Sequence, residues 1–92
     1  MKENHILRLL SRSREIRKVL TAIYRETLET RVGVSLSKLS RMTRIERHRL
    51  VGMIEILVAL GILVITQIGM AKVVTFRPNI TNTVRELLRS KL

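Results

Sequence analysis

The chain has 92 residues, enough for one small domain whose core is marginal unless it oligomerises. It contains no cysteine, which excludes disulfides and thiolate metal sites, and no aspartate, which excludes a nucleophile–histidine–aspartate set. Its 18 lysines and arginines against 7 acidic residues give a formal charge of +11, an excess that answers a polyanion, either nucleic acid or an anionic lipid surface.

The chain starts MKENHILRLLSRSREIRKVL. Arg8 and Arg12 interrupt the apolar run and no small-residue cleavage site follows, so a secretory signal is not expected. Over residues 13–30, Ile16, Leu20, Ile23, Tyr24 and Leu28 recur at three- and four-residue spacing, the stripe of an amphipathic helix. Ile6, Leu9 and Leu10 continue it backward, so residues 1–12 either extend this helix or form a loose start. Next, SLSKLSRMT predicts a short helix with Leu36, Leu39 and Met42 on its apolar side and Ser35 or Ser37 as its cap. Thr43-Arg44 is a tight connection to a third helix over residues 45–60.

In that third helix Leu50, Met53, Ile54 and Leu57 share one face, and His48, Gly52, Glu55 and Ala59 share the opposite one. Gly61 is placed to end it as a C′ glycine. The β-branched runs ILVIT and KVVTF then predict two strands around a turn at Gln67-Ile68-Gly69-Met70. After Pro78, Thr83 and Glu86 suggest a capping box for a last helix, whose stripe is Ile80, Val84, Leu87, Leu88 and Leu92.

From Leu50 to Ala71 only Glu55 is charged, a stretch long enough on paper to span a bilayer. Glu55 inside it, basic residues on both flanks and the change of period from helix to strand all disfavour that reading.

The order helix, short helix, turn, basic helix, strand, turn, strand, helix resembles the winged helix-turn-helix family of transcriptional regulators. The resemblance covers about residues 16–76. It rests on SLSKLSRMTRIERHRLVGMIEILVALGILVI, with Leu39, Ile45, Leu50, Leu57 and the Leu60-Gly61-Ile62-Leu63 corner at the family's core spacing. It implies a mainly α fold with a small β-hairpin, a single winged-helix domain over residues 1–92, and function as a small sequence-specific double-stranded DNA-binding regulator. The third helix would enter the major groove and the hairpin wing would touch the flanking backbone. On this chain that directs Arg44, Arg47, His48, Arg49 and Gly52 toward DNA, with Lys72 on the wing.

Physical chemistry favours the same end of the helix. A helix N-terminus presents unpaired N–H groups and the positive end of its dipole to phosphate. An arginine fork matches a guanine edge or a phosphate with two hydrogen bonds. Arg47 and Arg49 lie about 200° apart on a helical wheel and cannot share a base edge; Arg49, nearer the His48–Gly52 face, is the expected base reader. Glu55 is out of place on a face meant for DNA. It either points past the groove, accepts from a cytosine amine, or pairs with an arginine of another helix. Ile68 and Met70 at the hairpin tip fit a minor-groove wedge, contact with a neighbouring subunit, or a simple cap on the hairpin.

His5 and His48 are far apart in sequence, and neither a carboxylate cluster nor a phosphate-binding glycine loop is present. No catalytic residue, metal site or cofactor is expected. The remaining readings are an RNA-binding or general nucleic-acid adaptor, a protein-interaction module, and a basic amphipathic helix over residues 5–31 lying on anionic membrane. Tyr24 and Phe76 are the only aromatics, too few for a single-strand stacking platform. A cytoplasmic homodimer is expected, nucleoid-associated if prokaryotic, with Ile80, Val84, Leu87, Leu88 and Leu92 as the dimer stripe.

Overall fold

The computed structural model describes residues 2–90, with side chains for residues 5–89. The elements in chain order are α1 (Lys2–Leu10), α2 (Arg14–Thr30), β1 (Val34–Ser35), α3 (Leu36–Thr43), α4 (Arg47–Ala59), β2 (Leu63–Ile68), β3 (Ala71–Phe76) and α5 (Thr81–Ser90). The fold is mainly helical with one small antiparallel sheet of order β1-β3-β2. The apolar stretch from Leu50 to Ala71 is divided among α4 and the β2–β3 hairpin, and no helix among the described residues is long and apolar enough to cross a membrane.

The first helical stripe is broken at residues 11–13 and does not continue as one helix. The Ser11 hydroxyl donates to the Arg8 carbonyl at 2.9 Å, and Arg17 donates from Nε and Nη2 to the Ser11 carbonyl at 3.0 and 2.8 Å. Ser13 then caps α2 by accepting from the Ile16 amide. The break changes the phase of burial, so that Leu7 is fully buried and Leu9 is 48% exposed. On α2 the inward face is Val19, Leu20, Ala22, Ile23 and Glu26, whereas Leu28, expected in the stripe, is 57% exposed.

β1, only two residues long, has too short a period to be read from sequence. It pairs with the central strand through Val34↔Val74 and Ser35↔Val73. Gly33 brings the chain there at φ +120°, and a Cβ on it would lie 2.6 Å from the Val74 carbonyl oxygen and against Thr75. Only glycine allows that approach. The hairpin is tighter than expected. Its register runs from Leu63↔Phe76 to Ile68↔Ala71, leaving Gly69-Met70 as a two-residue loop. Positive φ at Gly69 alone matches the type II′ turn, whose twist suits the flanking strands.

α4 begins two residues later than its apolar pattern suggested, because Ile45 belongs to the preceding turn and Glu46 is the cap. Its end follows expectation. Gly61 adopts φ +79°, its amide bonds the Val58 carbonyl at 3.0 Å, and the Ile62 amide bonds the Leu57 carbonyl at 2.9 Å. This paired arrangement satisfies the last carbonyls and turns the chain directly into β2.

α5 begins at Thr81, so Thr83 is inside the helix and does not act as its N-cap. The Ile80 amide bonds the Arg77 carbonyl and the Val84 amide bonds the Ile80 carbonyl, starting the turn earlier. Ile80 and Val84, expected at a dimer interface, are 2% and 1% exposed within the single chain. They close its own core beside Leu7, Leu20, Ile23, Leu39, Leu57 and Val74. Leu87 and Leu88 are half-buried against that core, and Leu92 lies outside the described residues.

Leu57 is 1% exposed at the centre of the α4 core face. Leu57→Ala is expected to lower stability by ~2–5 kcal/mol in a denaturant titration. An unchanged midpoint would place Leu57 off the core face.

Candidate nucleic-acid interface

The phase of α4 is set by Leu50, Ile54 and Leu57, which point into the core. At about 100° per residue the direction opposite them holds His48, Gly52, Glu55 and Ala59. His48, Glu55 and Ala59 are exposed and Gly52 is half-exposed, so the face read from sequence does point outward. A Cβ on Gly52 would meet no atom within 4 Å.

The turn before α4 is held by its own side chains. The Ser40 hydroxyl donates to the Ile45 carbonyl, and Arg44 adopts φ +58° as the C-cap of α3, its amide bonding the Ser40 carbonyl. The Arg44 side chain is exposed at this corner. The Glu46 carboxylate accepts the His48 amide on Oε1 and the Arg49 amide on Oε2, each at 3.1 Å. The N–H groups expected to be open to phosphate are therefore already occupied by a carboxylate, which also meets the helix dipole. Hydrogen bonds from the amides of His48 and then Arg49 hold the Glu46 carboxyl below its ordinary value of 4.5.

The basic residues of the expected site do not share one face: Arg47, His48 and Arg49 lie on different sides of α4. Arg47 leans toward the hairpin and donates from Nη1 to the Ser37 hydroxyl at 3.2 Å. Arg47, Val51 and Glu55 form one wall of a cleft of about 230 Å3, with Ser37, Met70 and Lys72 also lining it. Lys72 and Arg47 thus face one hollow from two elements. Arg49 lies on the other flank, where its guanidinium pairs with the Glu15 carboxylate of α2. The sequence-based choice of Arg49 as base reader is not favoured by this position, since its head group is directed to α2 and away from the His48–Gly52–Glu55 line.

In the sequence the basic face of residues 5–31 goes to a membrane reading and is not set beside α4. Arg14, Lys18, Thr21 and Arg25 fall in one stripe at spacings of four, three and four, along an open hollow of about 500 Å3 with Met42 of α3 at its edge. The spacing was visible in the sequence, but the apolar stripe of the same helix was the stronger signal. The Arg49–Glu15 pair joins this basic stripe to the α4 N-terminus. At the hairpin tip Met70 is 99% exposed and Ile68 53% exposed. No group of three or more histidine or acidic side chains that could hold a metal ion occurs among the described residues. Comparison with protein-family models, with curated proteins and with solved structures gave no match to this chain.

The Glu46 cap has a pH signature. Its folded pKa is depressed, so its contribution is present above the ordinary value of 4.5 and is lost as the pH falls through the lower folded value. The difference in melting temperature between the parent and Glu46→Ala is expected to be largest above pH 4.5 and to shrink below it. A difference that is constant from pH 7 to pH 3 would show that the carboxylate charge does not act as the cap.

Proposed function

We propose that the chain is a double-stranded DNA-binding regulator of the winged helix-turn-helix type, with α4 in the major groove and the β2–β3 hairpin on the flanking backbone. Gly52 is the observation that carries this reading. A glycine in the interior of an exposed helix costs ~0.5–1 kcal/mol relative to alanine. Packing among the described residues does not require it, because a Cβ there would meet no atom of another element within 4 Å. A glycine on the outward line of α4 suits an external surface that comes close to the helix backbone, as a groove floor does.

The charges support the same pose. α4 is about 20 Å long, and the major groove, about 12 Å wide, admits one helix between two phosphate strands. Arg47 and Lys72 would meet one strand, and Arg49 with Arg14 and Lys18 the other. The outward line between them carries few cations, which suits base edges better than phosphates. An A-form duplex is a poorer fit, since its deep, narrow major groove does not admit such contacts.

Mobility shifts with labelled duplex, competed by single-stranded DNA and by double-stranded RNA, test the reading. Duplex DNA is expected to compete best. Gly52→Ala should raise the melting temperature, corresponding to ~0.5–1 kcal/mol, while weakening duplex binding several-fold. Greater stability with unchanged binding would remove the reason for placing α4 in a groove. Lys72→Ala should weaken binding to all sequences alike and lower the salt slope by about one unit.

A further inference from the structure

We propose that Glu55 reads a cytosine, accepting a hydrogen bond from the N4 amine on the major-groove edge. This rests on α4 lying in the groove. Glu55 shares the outward line with His48 and Gly52, seven and three residues before it, so all three point the same way along almost two turns. Gly52 lets the helix sink toward the groove floor and brings the neighbouring side chains within reach of base edges.

Among the described residues Glu55, like Glu29 and Glu86, makes no ion pair or hydrogen bond, and of these three it alone lies on α4. Glu15 is paired with Arg49, Glu26 with Lys38, and Glu46 caps α4. Glu55 is exposed and makes no ion pair or hydrogen bond with the described residues, although Arg47 and Lys72 line the same cleft. On a chain of charge +11, a carboxylate on the outward face repels an approaching phosphate. That repulsion is useful where the carboxylate selects among bases. Cytosine offers a donor, N4–H2, on its major-groove edge, while guanine and thymine offer acceptors that repel a carboxylate. Adenine sets its N7 acceptor beside the N6 donor, which a carboxylate cannot satisfy and a carboxamide can. Arg47 and Lys72 lie beside Glu55 in the cleft, where they would neutralise the nearest phosphates.

The test is selection of binding sites from a randomised duplex pool by the parent, Glu55→Gln and Glu55→Ala, followed by affinities on the selected sites. Both substitutions are at an exposed position, and matching thermal melts confirm that each variant is folded. The parent is expected to fix a C·G pair at one position of its site and to lose roughly 5- to 150-fold in affinity when that pair is changed. Glu55→Gln should move the preference at that position to adenine, and Glu55→Ala should abolish it while leaving the other positions as they were. If both variants bind every duplex more tightly by a common factor with the same base preferences, Glu55 is only a repulsive charge and the proposal falls, while DNA binding by α4 stands. If the parent enriches no site and binds no duplex, both this proposal and the DNA-binding reading fail.

Discussion

Thr43 has no solvent exposure, donates its hydroxyl to the Leu39 carbonyl at 2.8 Å and accepts the Ile45 amide at 3.4 Å, and the direction of α4 depends on that arrangement. A helix that stops in the interior leaves carbonyls and amides without partners, each costly to bury unsatisfied. Here Ser40 and Thr43 supply the missing partners, and Arg44 takes the left-handed conformation that reverses the chain. Ile45, 6% exposed, anchors the turn in the core, and Glu46 starts the next helix at once. With both ends of the turn tied, the start of α4 is held in place relative to α3. Its outward line is therefore set in part by the buried Thr43 and Ile45 of this turn.

The acidic residues serve the same purpose at longer range. Glu26 is almost wholly buried on α2 and accepts from Lys38 of α3 at 2.8 Å, joining α2 to the helix that leads into the turn. Glu15 reaches from α2 to Arg49 on α4. The exposed Glu15–Arg49 pair contributes ~0–1 kcal/mol, so its value lies in geometry more than in stability. With few acids and several of them tied in this way, the cations of α2, α4 and the hairpin face outward. A charge of +11 is tolerable in a chain this small because the cations are spread over opposite faces, several on flexible side chains reaching into water.

The parts of the fold that were legible in the sequence are those with a repeating period or a punctuating residue. α2, α3 and the core face of α4 follow from leucine and isoleucine spacing, Gly61 marks the corner into β2, and the β-branched runs mark the hairpin. What was not legible depends on contacts between distant residues. β1 exists because Gly33 allows the chain to pass close to Val74, and two residues carry no period. Glu46 as a cap was hidden because a glutamate is an uncommon cap, and its role depends on both carboxylate oxygens reaching backward to the chain. The residues of the candidate site were legible as a group, and the helical wheel already set Arg47 and Arg49 on different flanks. The partners on those flanks, Ser37 for Arg47 and Glu15 for Arg49, were not legible, because they come from other helices.

The terminal helices show how a chain of this length acquires a sufficient core. A small domain buries a low fraction of its surface, and association with another chain is one remedy. Here the chain uses its own ends. Leu7 of α1 and Val84 of α5 enter the same cluster as Leu20 and Ile23 of α2, and Arg85 donates to the Tyr24 hydroxyl at 3.0 Å, holding α5 along α2. The stripe on α5 looks too long for one small core when its sequence is read alone, because the sequence does not show that α1 folds back to meet it. Once the break at residues 11–13 turns α1 over, the half that includes Ile80 and Val84 has partners within the chain. The core is then closed by α1 and α5 against the inward face of α4, and the opposite side of α4 is left facing outward.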